Sequence, residues 1–227
     1  VTPILEELVE RVLGRVSAGS TTAGSASAGS ASAGPRVLLG LTGAPGAGKS
    51  TLAGDLARAL TERTGEGAVA VVPMDGFHLA DVILDALGLR DRKGAPETFD
   101  ADGYAALLAR LRSGGTRPVY APGFERDLEQ PLAAAVTVPA SARVVVTEGN
   151  YLLLDDPRWH AVAAALDETW FVETDDAVRR ERLVARHVRF GKSADAARDW
   201  VDRVDQPNAD LVATTRGRAD LVVRLDG

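Results

Sequence analysis

Apolar and polar positions along this chain change period several times, and each change marks an element. Near the start, Ile4, Leu5, Leu8, Val9, Val12 and Leu13 recur at helical spacing, with Glu6, Glu7, Glu10 and Arg11 opposite. Thr2 suits the N-cap of that helix and Pro3 its first turn. Residues 17–35 are Gly, Ser, Ala and Thr with a single Pro. They carry no large side chain to offset the entropy of ordering, so the expectation is a flexible linker. Beyond it, apolar runs of strand length alternate with amphipathic stretches. Residues 37–41 read as a strand, and Leu52, Leu56 and Leu60 place a helix after it, ended by Gly65 and Gly67. Residues 68–74 read as a short buried strand whose Pro73 belongs at a strand end or sheet edge.

Further on the pattern predicts an irregular stretch over 75–100 that contains a helix over 81–87. A helix over 104–111 is closed by Gly114-Gly115. Residues 118–131 read as a loop, 133–138 as a small strand, and 143–147 and 170–173 as buried strands. Helices are expected over 177–188 and 194–204, the second N-capped by Ser193, and a last strand over 220–225. Buried strands alternating with helices predict a three-layer α/β fold, a parallel sheet covered by helices on both faces. In such a fold ligands sit beyond the carboxyl ends of the strands. The expected organisation is an N-terminal amphipathic helix over 1–16, the linker over 17–35 and one domain over 36–227.

Composition narrows the picture. An apolar fraction of 45% is ample for a core. The net charge of −6 argues against nucleic acid or an anionic membrane surface as partner. The chain has no cysteine, which removes disulfides, thiolate metal sites and thiol nucleophiles, and fits a reducing, cytoplasmic setting. No apolar run approaches the ~20 residues of a membrane span. A homodimer is compatible with all of this.

The most specific stretch is Gly43-Ala44-Pro45-Gly46-Ala47-Gly48-Lys49-Ser50-Thr51. It stands between a strand and a helix, which is the context a G-x-x-x-x-G-K-[ST] phosphate-binding loop requires. Glycines let successive backbone N–H groups converge on one anion, and the helix that follows adds its positive end. The chain is therefore expected to bind a nucleoside triphosphate, with Gly43, Ala44, Gly46, Ala47, Gly48, Lys49, Ser50 and Thr51 around the phosphates. Lys49 would meet the β and γ phosphates, and the Ser50 hydroxyl would ligate Mg²⁺.

Two acids stand at predicted strand tips. Asp75 follows the second strand directly, where a carboxylate could take the proton of an attacking hydroxyl if that strand neighbours the loop-bearing one. A capping role in an Asp-Gly turn is the alternative. Glu148 ends the run Val144-Val145-Val146-Thr147, the place of an acid that holds Mg²⁺ directly or through water. His78 faces either a pocket or solvent. Arg179, Arg182, Arg186 and Arg189 follow steps of three, four and three, and so share one helix face. Such a row suits a lid over a triphosphate as well as it suits a solvated surface.

Four segments together carry a resemblance: Gly-Ala-Pro-Gly-Ala-Gly-Lys-Ser at 43–50, Met-Asp-Gly-Phe-His at 74–78, Arg-Lys-Gly-Ala-Pro-Glu-Thr-Phe-Asp at 92–100 and Thr-Glu-Gly-Asn-Tyr at 147–151. In this order they resemble the phosphoribulokinase, uridine kinase and bacterial pantothenate kinase superfamily. The segments at 119–126 and 205–210 resemble its uridine-kinase-like branch. The resemblance spans residues 36–227. It implies a P-loop fold with an arginine-bearing lid and transfer of phosphate from Mg-ATP to a hydroxyl of a small metabolite. It also implies Asp75 as base, Glu148 near the metal, and a lid arginine among Arg182, Arg186 and Arg189, of which Arg186 is taken as catalytic beside Lys49. By the same resemblance Arg92 and Lys93, and with them Tyr120, Phe124 and Arg126, are candidate acceptor contacts beside His78. The rival readings are a nucleoside triphosphatase that uses water and a nucleotide-binding regulatory module. No Asn-Lys-x-Asp guanine-reading segment is present.

Overall fold

The computed structural model describes residues 3–22 and 36–225. Five parallel strands form the central sheet, in the order β2-β5-β1-β6-β7: β2 Val69–Pro73, β5 Val144–Gly149, β1 Val37–Thr42, β6 Glu168–Glu173 and β7 Leu221–Arg224. Alternate side chains leave opposite faces of a strand, so each strand feeds two cores. Leu39, Leu41, Val144, Val146, Trp170 and Val172 pack under α1 Pro3–Thr22 and α2 Lys49–Thr64, through Leu8, Val9, Val12, Leu52, Leu56 and Leu60. Leu38, Val72, Val145 and Phe171 face the second layer, α4 Ala101–Arg112, α5 Pro157–Ala164 and α8 Gln206–Ala213. Among the described residues the result is the expected three-layer α/β arrangement. No described helix is long and apolar enough to cross a membrane.

α1 does not stop at residue 16. It continues through Thr22, so the first six residues of the expected linker are helical, while 23–35 and the expected N-cap Thr2 lie outside the described residues. Alanine and serine sustain a helix once it is docked, and Ser17 Oγ donates to the Leu13 carbonyl at 3.0 Å.

The expected loop over 118–131 is instead the first strand and the turn of an antiparallel hairpin, β3 Val119–Glu125 with β4 Gln130–Val138. The register shifts between Ala121 and Gly123, around Pro122. A proline has no N–H for the ladder, and here the interruption hides a strand that continues on its far side.

Other elements differ in smaller ways. α5, which the hydrophobic pattern did not predict, is N-capped by Asp156 accepting from the Arg158 amide, and it buries Trp159 completely. The helix expected over 194–204 is α7 Ala194–Trp200, a wider turn over Val201–Asp205, and then α8. Pro207 in the first turn of α8 cannot donate, which opens the ladder there. The remaining elements are α3 Asp81–Leu87 and α6 Asp176–Arg189, the latter capped by Asp175 accepting from the amides of Ala177 and Val178.

Candidate active site

The strand order answers the condition set on Asp75. β2 does not neighbour β1; β5 lies between them. In register, Leu41 of β1, Glu148 of β5 and Pro73 of β2 form one row across the sheet. Thr42-Gly43, Glu148-Gly149 and Asp75 therefore emerge side by side at the carboxyl edge. Of these, Glu148, Gly149 and Asp75 line one cleft of about 1230 Å³, together with Lys49, Ser50 and Asn150.

Backbone shape builds the loop. Gly43, Gly46 and Gly48 hold φ of 152°, 80° and 95°, a region L-residues avoid. At Gly43 a Cβ would also stand 2.2 Å from the Val172 carbonyl oxygen. Lys49 opens α2, and its ammonium folds back onto the loop, donating to the carbonyls of Gly43 at 3.0 Å and Ala44 at 2.9 Å and to Asn150 Oδ1 at 2.8 Å. Burial pushes Lys49 down to about 8, although Glu148 and Asp75 work the other way. Ser50 Oγ donates to Glu148 Oε1 at 3.0 Å. Burial, helped by the negative Asp75, raises Glu148 above its ordinary range against the pull of Lys49.

Asp75 sits in a short turn over Met74–Phe77, just after β2. Its carboxylate accepts from Arg126 of the hairpin at 2.5 Å. Burial works against its charge, but His78, Arg126, Lys49 and Arg186 outweigh that and hold it below the usual carboxylate range. His78 Nδ1 lies 2.9 Å from the Asp75 carbonyl, and its ring packs on Phe99 and Phe124 at 4.0 and 4.9 Å between centroids. Burial lowers the imidazole, so at neutral pH it is the uncharged form that packs there. Arg126 and Lys93 flank the Phe124 ring at 4.9 and 5.5 Å, and Lys93 also pairs with Asp81 at 2.6 Å.

The arginine row divides. Arg182 and Arg186 line the cleft. Arg179 is buried, donates to the Pro45 carbonyl at 3.3 Å and pairs with Asp176, thereby bracing the loop from outside. Arg189 lies against the Phe190 ring at 5.8 Å and is not among the lining residues. Ten residues at about 100° each leave it roughly 80° round the helix from Arg179, so a shared stripe does not carry all four to one place. Two other candidates also stay outside. Arg92 pairs with Glu97 at 2.6 Å with its side chain 60% exposed, and Tyr120, 56% exposed, precedes the register shift that re-aims the strand toward the cleft at Phe124 and Arg126. Ala44 and Ala47 turn to the other side of the loop, toward a smaller hollow by Phe171 and Arg179.

Sequence reasoning missed Asn150, which receives the Lys49 ammonium. The only signal was its place directly after Glu148-Gly149. It also missed Asp205, which accepts from His187 Nε2 at 2.8 Å on the cleft wall.

A site that joins a triphosphate-type loop to two strand-tip carboxylates fits what the chain is similar to. The model of the phosphoribulokinase / uridine kinase family matches residues 38–225. The chain is 36% identical over 195 residues to "Putative uridine kinase C227.14" of Schizosaccharomyces pombe, covering 83% of each chain. It is 37% identical over 152 residues to "ATP-dependent kinase-like protein notR'" of Aspergillus versicolor, covering 63% of this chain and 88% of that one. A crystal structure described as a "putative fructose transport system kinase" from Silicibacter sp. TM1040 superposes with a TM-score of 0.80 at 37% identity, covering 96% of this chain and 98% of that one. On these grounds the chain belongs to the phosphoribulokinase / uridine kinase family and is a P-loop kinase of small molecules.

Proposed function

We propose that this kinase moves the γ-phosphoryl group of ATP to a hydroxyl of a small metabolite of the nucleoside, pantothenate-like or sugar kind. The observation that carries the reading is the convergence of Lys49, the Ser50–Glu148 pair and Asp75 in one cleft whose lining also includes His78, Lys93, Phe124 and Arg126. The backbone of 43–51 cradles the phosphates, and Lys49 exchanges its carbonyl partners for phosphate oxygens.

The donor set suits Mg²⁺. Ser50 supplies one hydroxyl and Glu148 one carboxylate, while among the described residues no group of three or more His, Cys, Asp or Glu forms a cage. Mg²⁺ takes few protein ligands and fills its remaining positions with phosphate oxygens and water. When bound it would neutralise charge on the phosphates.

Asp75 does the proton work. Arg126 keeps the carboxylate ionised and fixes one oxygen, which leaves the other to accept the proton of the acceptor hydroxyl. The hydroxyl oxygen bonds to the γ-phosphorus in line as the bond to the β-phosphate oxygen breaks, and ADP leaves. Arg182 and Arg186, which line the same cleft, would stabilise the negative charge that spreads over the transferring group. The acceptor rests against His78, Phe124 and Lys93. ADP release measured with and without a panel of nucleosides, pantothenate-like hydroxy acids and sugars tests this. Acceptor-dependent release supports the kinase, and release at one rate whatever is added would replace it with a water-using triphosphatase.

A further inference from the structure

The segment 205–210 divides between two jobs. Gln206 faces α6: its Oε1 accepts from Arg179 and, at 3.1 Å, from Arg180, while its Nε2 donates to Asp210 at 2.8 Å. Asp205 and Asn208 line the cleft instead. Three positions apart at the start of α8, they share one face of it.

Both are 7% exposed, and each keeps an oxygen in hand. Asp205 Oδ2 accepts from His187 Nε2 at 2.8 Å, and among the described residues its Oδ1 has no partner. Asn208 Nδ2 donates to the Gly94 carbonyl at 3.3 Å, and among the same residues its Oδ1 has none either. Neither oxygen is sealed inside the protein, so both open on the cleft. The Gly94 carbonyl also accepts from Tyr151 Oη at 2.5 Å, which ties the pair to the loop that carries Lys93. Asp205 and Asn208 thus belong to the acceptor arm of the cleft, the part that runs from Asp75 to Lys93 and the hairpin.

The cations of this arm are, by contrast, already satisfied. Arg126 pairs with Asp75 at 2.5 Å, and Lys93 and Arg90 share Asp81 at 2.6 and 2.7 Å. What the arm still lacks is a donor for two oxygens on one helix face. An ionised carboxyl group brings acceptors only, whereas a hydroxyl brings a donor. A buried acceptor left without a donor costs binding free energy, so a ligand that supplies one is favoured over a ligand that cannot.

We infer that Asp205 and Asn208 form a hydroxyl-binding subsite, and that the acceptor is a neutral polyhydroxy compound, a sugar, polyol or nucleoside rather than a hydroxy acid. One hydroxyl faces Asp75 and reacts; a second donates to Asp205. The inference rests on the reading of the chain as a kinase with Asp75 as base, and it narrows the acceptor of that same site.

The test measures ADP release with neutral sugars, polyols and nucleosides and with hydroxy acids, on the intact chain and on Asp205→Asn. Each neutral compound is run beside analogues in which one hydroxyl at a time is replaced by hydrogen. The variant keeps the shape of the side chain and an oxygen for His187, but offers the cleft an amide N–H in place of an acceptor; its unfolding temperature checks the fold. In the intact chain neutral compounds should be preferred. The analogue that lacks the hydroxyl meeting Asp205 should show a KM about ten- to a hundredfold higher, the range for a hydrogen bond to a carboxylate. Asp205→Asn should raise KM of the parent acceptor by a similar factor, leave ATP KM within about twofold, and change little for that analogue. A merely structural role would shift parent and analogue alike, so equal shifts would overturn the subsite. So would a preference of the intact chain for hydroxy acids, or a series in which only loss of the reacting hydroxyl matters, and these two readings need no variant. ADP release at one rate with every compound would instead overturn the kinase reading on which the inference stands.

Discussion

Lys49 gives the sharpest test of the site, because its charge is tuned by burial and its partners change on binding. In the free protein the ammonium is buried among three oxygen acceptors and titrates at about 8 rather than 10.5. A bound triphosphate sets several negative oxygens beside it, which favours the charged form and raises that value again. The sign follows directly. Between the free and bound values the free lysine is partly deprotonated and the bound one is not, so ATP binding takes up a proton there. At pH 8.5 a group that titrates at about 8 is roughly three-quarters deprotonated, so binding should take up about 0.7 proton, falling to about 0.1 at pH 7. The γ-phosphate is fully ionised at pH 8.5, and burial moves His78 further from that range. Titration calorimetry of Mg-ATP at pH 8.5 in buffers of different ionisation enthalpy reads the uptake as a slope. Affinity should fall as pH rises above 8, by up to tenfold per unit. Zero uptake at pH 8.5 together with intact ATP binding would refute the idea that Lys49 gives up its internal partners for phosphate.

Asp75→Asn should leave ATP affinity within a few-fold and lower kcat by about 10²–10⁴, the usual worth of a positioned base, as read in the acceptor-dependent ADP assay. A near-normal kcat would leave Asp75 only its pairing with Arg126. Glu148→Gln should abolish Mg²⁺-dependent turnover yet raise the unfolding temperature at neutral pH. The raised value of Glu148 means that the native state resists its charge, so stability is lost as pH climbs from the ordinary glutamate range through the native value, and a neutral isostere removes that loss. Gly43→Ala should destabilise the chain by about 1–3 kcal/mol or more, since a Cβ at a φ of 152° would meet the Val172 carbonyl at 2.2 Å; thermal unfolding measures it.

What could be read in advance, and what could not, separates along a physical line. The loop, Asp75 and Glu148 were legible because each depends on a local event, an apolar run that ends at a turn, and a strand end carries its next residue to a known edge. Asn150 was not legible, since its role comes from a lysine about a hundred residues earlier that reaches across from the neighbouring element. The arginine row was half legible: helical spacing grouped the four side chains, but only the packing of α6 against the loop decided that Arg179 turns inward to Pro45 while Arg182 and Arg186 face the cleft. β3 was hidden by Pro122 for a similar reason, because the partner strand, and not the local pattern, makes the hairpin.

The same distinction explains why the donor side of this site reads more readily than the acceptor side. Phosphate recognition is done by backbone N–H groups, and backbone geometry is written locally in glycines and a helix start. Acceptor recognition, on the proposed function, falls to side chains brought from a hairpin, a turn and a loop: Arg126 and Phe124, His78, and Lys93, which contact one another in the free protein. In the free protein these groups are already joined, Arg126 to Asp75 and Lys93 to Asp81, and both cations lie over the Phe124 ring. An acceptor must therefore enter a wall whose charges are largely balanced, and its fit depends on how far it loosens those pairs. Charge-reversing Lys93 should change acceptor KM more than ATP KM, because its partner Asp81 lies on α3, whereas the partner of Arg126, Asp75, also acts on Lys49 of the 43–51 loop. An equal effect on both would mean that the hairpin braces the whole cleft rather than the acceptor arm alone.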